Sequence, residues 1–195
     1  MITRGLWLIL LLSISAPGAD KDKRFRVEPA SSYPTKQSAG GLTIAAVPYV
    51  SAEQSKPAFG KVNPYDHGVL PVLVVMQNDT GKTLRLENME MTYVTPERRN
   101  VDQTPAGDVP YLEGAQRPNF GGPPLPIPRR KKKNKLAIPE IDGLAFHAKM
   151  VPEGNAAHGF VYFQTGHRKG AILYIRGIAE ASTGKELLYF EVPLD

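Results

Sequence analysis

The feature that most restricts what this chain can fold into is a series of short apolar runs, each closed off by turn-forming residues. The strongest is Val69-Leu70-Pro71-Val72-Leu73-Val74-Val75-Met76, with Asp66-His67-Gly68 before it and Asn78-Asp79-Thr80-Gly81 after it. Others are Leu42–Val47, Gly159–Phe163, Ala171–Ile175 and Leu187–Val192, separated by such turn sequences as Pro152-Glu153-Gly154-Asn155 and Ser182-Thr183-Gly184-Lys185. Runs of this length, rich in β-branched and aromatic residues, read as strands, and Gly, Pro, Asn and Asp supply the turns between them. Gly and Pro number 18 each among 195 residues, which argues against a helical bundle, a coiled coil or a doubly wound α/β enzyme. A hydrophobic content of 42% is enough for a packed core.

The weaker segments add detail. Thr83–Val94 alternates, but Leu84 and Leu86 lie on one parity and Met89, Met91 and Tyr93 on the other, which requires a bulge or sharp bend at Glu87-Asn88. Leu144–Met150 reads as a strand with Leu144, Phe146, Ala148 and Met150 on its apolar face and His147 and Lys149 opposite. A further short strand is expected around Asp108–Leu112. Residues 20–41 are polar and lack a sustained period, the mark of a flexible lead or an added edge segment. Residues from about 113 to 142 carry Gly121-Gly122-Pro123-Pro124-Leu125-Pro126-Ile127-Pro128 and read as a long insertion outside the core. No helix is expected. The result is one all-β domain over 42–195, an antiparallel sandwich of about seven to nine strands interrupted by that Pro/Gly-rich, basic insertion.

Two stretches resemble the immunoglobulin-like domains of exported bacterial proteins. One is a hydrophobic strand ending in an Asn turn and a Leu-x-Leu strand, Val72–Met76 followed by Gln77-Asn78-Asp79-Thr80-Gly81-Lys82-Thr83-Leu84-Arg85-Leu86. The other is the Pro152-Glu153-Gly154 turn ahead of Gly159-Phe160-Val161-Tyr162-Phe163. The resemblance covers roughly residues 42–112 and 144–195. It implies an immunoglobulin-like sandwich on the cell envelope and implies no catalytic residue.

The N-terminus reads as a secretory signal over residues 1–19: Arg4, the apolar run Leu6–Leu12 with Ile14, and small residues Ala16-Pro17-Gly18-Ala19, with cleavage after Gly18 or Ala19. The run is too short to span a bilayer, which takes about 20 residues. An exported chain with no cysteine points to a bacterial periplasmic or extracellular protein. The same lack removes disulfides, thiol catalysis, iron–sulfur clusters and cysteine zinc sites. Removing residues 1–19 takes away one cation and no acid, so the net charge falls from +5 to +4.

Candidate chemistry is sparse. There is no phosphate loop, dinucleotide fingerprint, GxSxG elbow, HExxH or EF-hand loop, and the expectation is a non-catalytic protein without a cofactor. Of the four histidines, His147 with Met150, Met89 and Met91 offers imidazole and thioether donors suited to copper, which makes a periplasmic ligand- or copper-binding protein the alternative function. Against it stands the strand parity, which sends His147 away from the methionines; on that reading no metal site is expected. Asn78-Asp79-Thr80 fits a glycosylation sequon, but as a hairpin turn it needs no glycan.

The sharpest feature is Arg129, Arg130, Lys131, Lys132, Lys133 and Lys135, six cations in seven residues. Such a run attracts phospholipid headgroups, lipopolysaccharide or other acidic polymers, and also serves solubility. It holds no aromatic side chain for base stacking, so nucleic acid is not an expected partner. The leading expectation is therefore an exported interaction or structural module of the bacterial envelope. Its partner would be an envelope protein or an anionic polymer or lipid surface, and it would not span the membrane after signal cleavage.

Overall fold

The computed structural model describes residues 25–112 and 134–195. Among them, the strands are β1 (Lys36–Ala39), β2 (Leu42–Pro48), β3 (Leu70–Asn78), β4 (Leu84–Arg85), β5 (Glu90–Val94), β6 (Asn100–Asp102), β7 (Met150–Val151), β8 (Ala156–Phe163), β9 (Ile172–Arg176), β10 (Ala179–Glu180) and β11 (Phe190–Pro193). They form three antiparallel sheets, in the orders β1-β2-β3-β8, β10-β4-β7 and β11-β9-β5-β6. The chain is thus predominantly antiparallel β, as its turn-punctuated runs require.

The first and last of these sheets enclose the main core. Leu42, Ile44, Ala46, Val72, Val74 and Met76 from the first meet Met91, Tyr93, Leu173, Ile175, Phe190 and Val192 from the other. The reverse face of the first sheet is also buried. Its Ala45, Leu73, Val75, Phe160 and Tyr162 are covered by a second layer that includes Ala30, Ala58, Phe59, Val109, Leu136 and Ile141. This double burial explains why Leu70–Met76 is continuously apolar: a strand covered on both faces has no polar parity.

That second layer holds the departures from the sequence reading. Helix α1 (Ala52–Phe59) stands where only loop was expected. Ser51 caps it by accepting the Gln54 amide, and the Gln54 side chain accepts the Ser51 amide in return, a reciprocal box that offsets the break Pro57 imposes. Its one apolar face delivers Ala58 and Phe59, and the Phe59 ring lies 4.8 Å from that of Phe160. A second, five-residue helix, α2 (Pro139–Gly143), closes the insertion. Residues 134–142 are therefore not outside the core, because Leu136 and Ile141 have apolar surface to cover and are buried. The strand expected around Asp108–Leu112 is instead a single 3-10 turn, Val109–Tyr111, since Pro110 supplies no ladder donor. The lead segment contributes β1, which pairs with β2 as an edge strand.

The bend at Glu87-Asn88 is where the chain passes from the three-stranded sheet to the last sheet, between β4 and β5. At the turn after β3, the fully buried Asn78 ties three segments together: the end of β3, the Thr80–Lys82 turn and Val151-Pro152. Its Nδ2 donates to the carbonyls of Lys82 (2.8 Å), Val151 (2.8 Å) and Pro152 (3.1 Å), and its Oδ1 accepts from the Thr80 hydroxyl at 2.7 Å. An amide nitrogen committed in this way is not available to a glycan, so the turn role prevails over the sequon. We expect Asn78→Ala to lower the unfolding free energy by about 3 kcal/mol, because buried carbonyls lose their donor. Urea denaturation checks this as a shift in midpoint at unchanged slope.

Candidate functional site

Three features compete for a functional role, and the insertion comes first. Of its six cations, Arg129, Arg130, Lys131, Lys132 and Lys133 lie outside the described residues. Lys135 is described and exposed, in a turn where the Asn134 side chain accepts the Leu136 amide at 2.9 Å. The two flanks of the insertion are fixed to one surface. Val109 on one side and Leu136 and Ile141 on the other are buried in the same layer over the first sheet. The Tyr162 hydroxyl, its ionisation pushed up by burial, donates to the Ile141 carbonyl at 2.7 Å and pins α2 to β8.

The second feature is a cavity of about 440 Å3 lined by Leu86, Met89, Met91, Phe146, His147 and Val161. Here the structure corrects the sequence reading. The segment Leu144–Lys149 is not a regular strand; only Ala145 makes a bridge, parallel to Phe160, and β7 starts at Met150. The reason is a close crossing. A side chain on Gly159 would fall 2.5 Å from the Phe146 Cα, so the segment can lie across β8 only because position 159 is glycine. Without regular alternation the parity argument lapses, and His147 lines the same cavity as Met89 and Met91. Met150, assigned to the apolar face, is instead half exposed and pairs with Arg85 in β7.

The opposite wall rests on another glycine. Gly177, at φ +79°, approaches the Asn88 carbonyl so closely that a Cβ would lie 2.1 Å from it, which seats the bend that presents Met89. On the His147 ring, Nε2 lies 2.8 Å from the Asp142 carbonyl oxygen. Met91 is buried in the wall, Met89 is half buried, and the exposed Glu87 and Lys149 also line the cavity, one charge of each sign.

The third feature is an open cleft of about 480 Å3 that includes Thr95, Arg99, Asn100, Thr165, His167 and Arg168. Two tyrosine hydroxyls hold its floor, Tyr65 accepting the His167 amide at 3.0 Å and Tyr93 the Arg168 amide at 2.9 Å. His167 Nδ1 is buried without a hydrogen-bond partner. Burial holds this imidazole below its ordinary value, against a smaller opposing pull from Asp195. His67 and His158 lie apart from both cavities. Among the described residues no three His, Asp or Glu side chains cluster to hold a metal, and no helix is long and apolar enough to cross a membrane.

No protein-family model matches this chain, and no curated protein matches it. Among solved structures it is similar to a candidate lipoprotein of Bacillus subtilis, with 14% identity and a TM-score of 0.39 over 82% of this chain. It spans 38% of that protein's length. It is also similar to a secreted protein of Mycobacterium tuberculosis, with 12% identity and a TM-score of 0.36 over 84% of this chain and 95% of the other. At these identities and scores, the functional reading rests on the chain's own residues.

Two measurements follow from the site geometry. Because the folded His167 resists protonation while the unfolded one does not, its contribution to stability is full above the ordinary imidazole value of 6.5 and falls away as pH drops below it. Thermal melts from neutral to acid pH should show this loss, and His167→Gln should flatten it. Gly159→Ala should displace the Phe146-His147 segment and lower stability by about 1–3 kcal/mol, as overpacking does. Amide exchange at Phe146 and Phe160 would report the displacement.

Proposed function

We propose that this chain is an exported, non-catalytic module of the bacterial envelope, an immunoglobulin-like sandwich that holds a basic segment against anionic polymer or lipid. The observation that carries this reading is that the insertion leaves and re-enters one hydrophobic layer, with Val109 before it and Leu136 after it both buried there. Arg129, Arg130, Lys131, Lys132, Lys133 and Lys135 belong to the segment of sequence that joins these two anchors. The signal-like residues 1–19 and the lack of cysteine support export from a bacterial cell. Six cations within seven residues of sequence are worth about 1 kcal/mol each beside an anionic surface.

The test is co-sedimentation of residues 20–195 with vesicles of phosphatidylglycerol and phosphatidylethanolamine, beside a variant with the six cations replaced by Gly and Ser. Binding should be lost in the variant. It should also weaken steeply between about 0.1 M and about 1 M salt, over which the screening length shrinks from about 10 Å to about 3 Å. Equal binding by both forms, or binding indifferent to salt, would refute the proposal.

A further inference from the structure

The cavity between the Glu87-Asn88 bend and the Leu144–Lys149 segment belongs to a different chemistry from the basic insertion. Met89 and Met91 are two residues apart, one at the end of the bend and one in β5, and both line it. Residues spaced by two in extended chain share a face, so two thioethers are offered on one wall. His147 lines the same space from the segment that crosses β8. Its ring is already oriented. A carbonyl oxygen only accepts, so the 2.8 Å contact with the Asp142 carbonyl requires a proton on Nε2. The neutral imidazole then carries its free lone pair on Nδ1. A hydrogen bond from the remote ring nitrogen to a backbone carbonyl is the arrangement that fixes a metal-ligating histidine in its tautomer.

We propose that this cavity is a Cu(I) site, with the Met89 and Met91 thioether sulfurs and His147 Nδ1 as its donors. The donor set selects the ion. Two soft, neutral thioethers with one imidazole suit Cu(I), whereas Ca2+ and Mg2+ require oxygen ligands and structural Zn2+ sites use thiolate, imidazole or carboxylate. Leu86, Phe146, Ala148 and Val161 add apolar wall beside the thioethers, with the Gln103 side chain also at the cavity. Glu87 and Lys149 offset each other at the cavity and leave its net charge unchanged. Met150, half exposed and paired in β7, is not among the donors.

The methionines provide an internal control, since Met76 is buried in the main core and Met150 is half exposed. Protein labelled with 13C at the methionine methyl groups would be titrated anaerobically with Cu(I) held by bicinchoninate. The expected result is transfer of one equivalent of copper from the chelator, with shifts of the Met89 and Met91 methyl resonances and the His147 ring, while Met76 stays fixed. Met89→Leu combined with Met91→Leu keeps wall volume and should abolish the transfer; His147→Gln should weaken it without altering the melting temperature. Zn(II) should produce no methyl shift. Retention of copper by the double leucine variant, shifts confined to Met150, or no transfer to the native protein would each overturn the assignment.

Discussion

One buried amide holds the two halves of this fold together. Asn78 ends β3, and its side chain reaches carbonyls on both sides of a long stretch of sequence, at Lys82 nearby and at Val151 and Pro152 far along the chain. Its backbone does the same, donating to Asn155 at 3.0 Å and accepting from Gly154 at 2.7 Å. The Asn turn and the Pro-x-Gly turn, separate motifs in sequence, are therefore one hydrogen-bonded junction. The β3–β8 pairing, which places β8 at one edge of the first sheet, starts from it, with Gln77 opposite Ala156 and the register running on to Leu70 opposite Phe163. At a buried position such as Asn78, each of these polar groups requires its partner, so the junction fixes register as well as contributing stability.

From that junction the layers follow. Because β3 is buried on both faces, the chain must supply two apolar coverings. One is the last sheet; the other is assembled from α1, α2, the lead and the turn before the insertion. The second covering is rich in rings, with Phe25, Tyr49 and Phe59 grouped about Phe160. Glycines at 159 and 177 then let backbone cross backbone at distances that no side chain permits. The crossings, more than the strands, define the cavity between the methionines and His147.

Much of this was legible in the sequence. The turn-punctuated runs gave the antiparallel strands, and the parity flip at Glu87-Asn88 marked the step between sheets. The unbroken apolarity of Val72–Met76 already signalled two-sided burial, since a strand with one wet face alternates. Helix α1 was signalled only by Ser51 and Gln54 at capping-box spacing, and Pro57 three residues on obscured it. The misreading of Leu144–Met150 had a definite cause. Its alternation was real, but alternation sets the facing of side chains only while a segment is paired along its length, and this one crosses β8 at Phe160 and leaves. Gly159, a glycine inside an apolar strand, was the local sign of a close crossing; nothing nearby says which segment crosses. The charge of the basic run was equally plain, whereas the shared anchoring of its flanks came only from tertiary contacts.

The paired anchors at Val109 and Leu136 have a consequence for how the chain can vary. Closing a loop between fixed ends costs entropy that grows only with the logarithm of its length, about 0.6 kcal/mol for each doubling. With its ends already held by the layer over the first sheet, the insertion can be lengthened, shortened or exchanged at little cost to the fold. This position is therefore the natural graft point of the molecule, where a recognition segment can diverge while the junction at Asn78 and both cores stay the same.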